Sequence, residues 1–130
     1  MIVSSDIANI LYRDCKAFGI DRVPDGETLT GEITTERIVI HAKKQEAGTY
    51  WKKGFVEVNL CVPDSSKNSA NSTRLGELER QAQELLDDVV SSYDGTTYRY
   101  GISSIGREQD AYLKCHYVNV RILFEVLNVK

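Results

Sequence analysis

The sequence predicts an α+β fold in which two helices pack on one face of a mostly antiparallel sheet of four or five strands, in the order α-β-β(-β)-α-β-β. Two stretches, one near the N-terminus and one over residues 75–93, repeat apolar residues every three or four positions, which is helical spacing. Four others alternate apolar with polar side chains, and the longest of these closes the chain. At 130 residues the chain has the size of one domain and can bury a core, so residues 1–130 are read as a single unit.

The elements follow in order. Ser5 or Asp6 caps a first helix whose apolar positions, Ile7, Ile10, Leu11, Cys15 and Phe18, share one face until Gly19 ends it. Asp21 to Glu27 holds Pro24, Asp25 and Gly26, a turn cluster leading into a β-rich region. Ile38 and Ile40 alternate with Arg37, Val39 and His41, and Val56, Val58, Leu60 and Val62 alternate with Phe55, Glu57, Asn59 and Cys61, so two strands are expected. Residues 43–54 between them are too polar for core and read as an exposed hairpin arm.

Pro63 closes the second strand, and residues 64–73 form a Ser/Asn/Lys loop. Leu75, Leu78, Ala82, Leu85, Leu86, Val89 and Tyr93 then mark the strongest helix, with Thr73 as its N-cap and Asp94-Gly95 as the turn out of it. Tyr98, Tyr100 and Ile102 alternate in a further strand over residues 97–106. In the last run, residues 111–128, Val118, Val120, Ile122, Phe124 and Val126 fall on one face and Tyr117, Asn119, Arg121 and Glu125 on the other. Ile7, Ile10, Leu78, Leu85 and Val89 are expected to face Val58, Leu60, Val120 and Ile122.

Composition narrows the function classes. With 42% hydrophobic and 27% charged residues the chain resembles ordinary globular proteins, and no apolar run approaches the roughly 20 residues of a membrane-spanning helix. The first six residues carry neither a basic leader nor an apolar stretch, so no secretory signal is expected. A net charge of −3 argues against a surface that grips nucleic acid over a whole face, and no sequence-specific nucleic-acid partner is expected. Cys15, Cys61 and Cys115 have no CxxC spacing, so they read as buried thiols, with neither a disulfide framework nor a zinc site.

No catalytic pattern matches that clarity. His41 sits on a strand and His116 just before the alternating terminal run, and a lone strand histidine is usually solvent-facing or hydrogen-bonded. Gly101, Ser103, Ser104 and Gly106 have GxSSxG spacing, which differs from a nucleophile elbow, and no helix follows. Glu77, Glu79, Glu84, Asp87 and Asp88 read as a solvated helix face, and Asn71-Ser72-Thr73 as a loop sequon. Phosphate-loop, dinucleotide, zincin and EF-hand spacings are absent, so neither an enzyme nor a cofactor is expected. Tyr50, Trp51, Lys52 and Lys53 in the arm are the candidate protein interface, because aromatic rings beside cations make good anchors.

The order of elements, with the second helix RLGELERQAQELLDDVV and the terminal strand KCHYVNVRILFEVLN, resembles the small tail-terminator and tail-completion proteins of long-tailed bacteriophages over most of the chain. The resemblance implies a structural subunit of a ring, often a hexamer, at the head-tail junction of the virion. It implies assembly in the bacterial cytoplasm, contacts with tail-tube and neck or connector proteins, and no catalytic residues. Head-closure or minor capsid components share this small α+β pattern. The competing reading is a cytosolic small-ligand-binding or regulatory α+β module.

Overall fold

The computed structural model describes residues 2–47 and 52–127. It is α+β, with two α-helices and a six-stranded sheet in the order β1-β2-β3-β6-β5-β4. The strands are β1 (Asp21–Arg22), β2 (Arg37–Ala47), β3 (Lys52–Pro63), β4 (Val89–Tyr93), β5 (Thr96–Asp110) and β6 (Cys115–Val126). Every pairing is antiparallel except that of β1 with β2.

The strand count exceeds the expected four or five, and the order differs from α-β-β(-β)-α-β-β, for two reasons. Asp21 and Arg22, read as the start of a turn, pair in parallel with Arg37 and Ile38 before the turn proper forms at Pro24–Glu27. Val89 and Tyr93, read as the last turns of the second helix, belong to β4 instead. Helix α2 (Ser72–Leu85) stops at Leu86, Asp88 takes a positive φ of 54°, and the chain reverses. Asp94 and Gly95, with φ of 49° and 78°, then make the two-residue turn that joins β4 to β5.

Helix α1 (Ser4–Asp14) begins earlier than expected, with Val3 in the N-cap position rather than Ser5 or Asp6. Asp6 still serves the terminus, because its carboxylate accepts the Val3 N–H at 2.9 Å. A 3₁₀ turn, Cys15–Phe18, continues it to Gly19, whose φ of 70° ends the helix. The N-cap of α2 is Asn71 rather than Thr73: its side-chain oxygen accepts the Arg74 N–H at 3.3 Å, so the expected 64–73 loop ends two residues sooner. Within that loop Ser65 and Ser69 close a tight turn through backbone hydrogen bonds.

One face of the sheet carries the core. Val56, Val58, Leu60 and Val62 of β3 and Val118, Val120, Ile122, Phe124 and Val126 of β6 pack with Ile7, Ile10 and Leu11 of α1 and Leu75, Leu78 and Ala82 of α2. Leu86, 0% exposed, fills the place assigned to Leu85, which is half-buried at its edge. Tyr98 and Phe124 stack at 4.9 Å, and Tyr100 lies 6.0 Å from Phe124. Their hydroxyls leave the core at the end of α1, where Arg13 donates to Tyr98 at 2.7 Å and Tyr100 donates to Asp14 at 2.7 Å. Burial and the Asp14 carboxylate hold the Tyr100 phenol well above its usual range.

In β5 one extra residue at Ser103 shifts the alternation, since Ile102 faces Ile122 but Ser104 faces Arg121. Ile105 thereby returns to the core side opposite Val120. Asp87 accepts the Ile102 N–H at 2.9 Å beside this irregularity, and a Cβ on Gly101 would stand 3.1 Å from the same carboxylate oxygen.

Truncating Leu78 to alanine is expected to cost about 2–5 kcal/mol in urea unfolding, as a fully buried leucine does. The half-buried Leu85 is expected to cost only about 1 kcal/mol in the same experiment. Equal losses at the two positions would misplace the buried face of α2.

Candidate functional site

The second face of the sheet is where this fold has surface to offer. The odd-numbered residues of β3 and β6 point to it, and it divides into two parts. At one end Leu29 and Ile33, from the segment between β1 and β2, cover a small apolar cluster with Cys61, Leu113 and Cys115. The Ile33 N–H, donating to the Leu113 carbonyl at 3.1 Å, ties that segment down. No periodic pattern marked Leu29 and Ile33, because an irregular segment has none.

Toward the β2–β3 hairpin the same face is polar and paired. The Asn119 amide donates to Glu57 at 2.9 Å and to Asn59 at 2.8 Å, bridging the central strands. Arg121 lies over the Phe55 ring at 3.9 Å, Arg99 pairs with Glu125 at 3.3 Å, and Lys43 with Glu57 at 3.6 Å. The Asn119 hydrogen bond, opposed by burial and aided by Lys43 and Arg121, lowers the Glu57 carboxyl below its usual range.

Between these parts a groove of about 410 Å³ opens against the sheet, bounded by Glu27, Leu29, His41, Asp110, Tyr112 and Tyr117. Tyr112 stands 68% exposed at its rim. Burial pushes the Tyr117 phenol up to about 12, and the neighbouring Glu108 and Asp110 carboxylates add to the effect. Asp110 is fixed in place because its carboxylate accepts the Leu113 N–H at 3.0 Å in the turn into β6.

The residues singled out from sequence fall as follows. Tyr50 and Trp51 lie outside the described residues; Lys52 opens β3, and Lys53 is exposed next to it. The strands extend into the expected arm, with Gln45, Glu46 and Ala47 paired to Gly54, Lys53 and Lys52 after an irregularity beyond Ala42. His41 is exposed beside the groove and opposite Glu57, whereas His116 is opposite Val62 and bound to Asp64 at 2.6 Å, so the two histidines lie on different faces. Ser103 is exposed in β5, six positions from the residue that pairs with His116, and the structure does not bring it near either ring.

Of the acidic residues read onto the second helix, Glu77 pairs with Arg74 and Glu79 with Arg107, while Asp87 and Asp88 lie beyond its end, where Asp87 accepts the Ile102 N–H. No group of three or more metal-ligating side chains occurs among the described residues. All three cysteines are free and buried. Burial raises the Cys15 thiol to about 12, and a hydrogen bond with Cys115, followed by burial, raises that of Cys61.

No protein-family model matches the chain, and no curated protein matches it. Among solved structures, one chain whose name describes no activity is similar over 98% of this chain and 93% of its own, with a TM-score of 0.58 and 13% identity. A likeness at that identity shows a shared fold and carries no function.

Replacing Asn119 by alanine is expected to move the Glu57 carboxyl up toward its usual range, read by an NMR titration of that side chain. The folded value lies below the unfolded one, so this group stabilises the fold above the ordinary carboxylate range and ceases to as pH falls through its folded value. The variant should therefore lose stability less steeply than the wild type between about pH 5 and 3. An unchanged Glu57 titration would remove Asn119 as the main cause.

Proposed function

We propose that this chain is a structural assembly subunit, tail-terminator-like, that forms a homo-oligomeric ring at the head-tail junction of a phage or prophage virion. The observation that supports it is an open sheet edge. Strand β4 has five residues and pairs only with residues 96–100 of β5, so among the described residues no strand flanks residues 101–110 on the side away from β6. Beyond Ile102, whose N–H the Asp87 carboxylate already accepts, that edge is a template for pairing with another chain. Where successive copies meet through unlike surfaces, the contact repeats head to tail and closes into a ring when the rotation allows.

In this reading the polar, charge-paired end of the second face lines shared space within the assembly, and the hairpin and loops meet the tail tube and neck. A second reading, a small-ligand-binding module, draws on the groove, whose volume of about 410 Å³ lies within the span of small-molecule sites.

Sedimentation velocity between about 5 and 500 µM separates the two, since self-association deepens with concentration by mass action. The expected result is a concentration-dependent oligomer; a monomer at every concentration would sink the ring reading. Placing lysine at the exposed Ser103 of the β5 edge is expected to weaken association at least about tenfold and to change folding stability by no more than about 0.5 kcal/mol.

A further inference from the structure

We infer that the acidic, tyrosine-lined groove receives the lysine-rich β2–β3 hairpin of a second copy of this chain. The inference rests on the ring reading and names the surfaces that would meet in it. Two features of opposite character carry it.

The groove is acidic and aromatic: Glu27 and Asp110 bound it, Tyr112 and Tyr117 supply ring faces, and Glu108 stands against Tyr117. Among the described residues no lysine or arginine bounds it. Such a site suits an ammonium group, which gains from carboxylates and from the electron-rich faces of tyrosine rings together. The hairpin is the complement, because residues 43–54 hold Lys43, Lys44, Lys52 and Lys53 against the single acid Glu46, with Tyr50 and Trp51 between.

A chain cannot fill its own groove. Val39 and His41 of β2 border it, whereas the paired residues Ala47 and Lys52 stand at the far end of the same ladder. At about 3.3 Å per residue the two are separated by roughly 20 Å or more along a rigid ladder. Each copy therefore presents an acceptor at one end of the sheet and a donor at the other. A contact that repeats head to tail from such ends builds a ring, whereas two antiparallel copies would satisfy both contacts at once as a two-fold dimer, and the sedimenting mass separates the two.

Charge reversal in the full chain tests it, with sedimentation velocity and the fluorescence of Trp51, the one tryptophan in the sequence, as readouts. Lys52→Glu with Lys53→Glu, and separately Glu27→Lys with Glu108→Lys, should each weaken self-association at least about tenfold. Lys53, Glu27 and Glu108 are exposed, so these variants are expected to keep the wild-type circular dichroism. Mixing the two variants, which restores opposite charges at one contact, should recover assembly and the blue shift of Trp51. Wild-type association left intact by both variants, or no recovery on mixing, overturns the groove and leaves the ring reading standing; a wild type that never associates overturns the ring reading itself.

Discussion

The ladder between β3 and β6 is the constraint on which the rest of the structure depends. It runs without a register shift from Lys53 opposite Glu125 to Pro63 opposite Cys115, at the centre of the sheet. In such a ladder a slip of one residue would turn every side chain to the wrong face. Here that would place Glu57, Asn59, Asn119 and Arg121 under the helices and expose Val58, Leu60, Val120 and Ile122. The cost of burying those charges and amides without partners makes the register unique.

Both faces of the molecule follow from that register. The even-numbered side chains make an apolar surface broad enough for two helices, and the helices meet it with stripes that need nothing more specific than helical spacing. The odd-numbered side chains make the second face, where Asn119 ties the two strands together by a double hydrogen bond. At one end of this face an irregular segment lies over Cys61 and Cys115, and at the other the strands run on into the hairpin. A groove at one end and a basic hairpin at the other are thus consequences of covering only part of one sheet face.

The region after α2 shows where periodicity misleads. Val89 and Tyr93 continue the three- and four-residue spacing of the helix, yet a spacing shared by two residues fits a short strand equally well. Backbone conformation decides between them, with Asp88 at positive φ and the Asp94-Gly95 turn both reversing the chain. Asp94-Gly95 did signal a turn, but a turn pairs two strands only if a strand precedes it. β4 exists because β5 is already anchored on β6 and offers it an edge.

What the sequence determined by itself was what repeats along the chain: the alternation of β3 and β6, the helical stripes of α1 and α2, and the endings at Gly19 and Pro63. These are local, since a side chain's neighbours two or four residues away already dictate its face. What only the tertiary structure decided was what the chain brings together from afar. The parallel β1 contact, the cover of Leu29 and Ile33, the pairing of His116 with Asp64 and the groove between Glu27 and Asp110 all join residues with no shared period. Their partners are chosen by which surface the central ladder leaves bare, and that surface exists only once the ladder has formed.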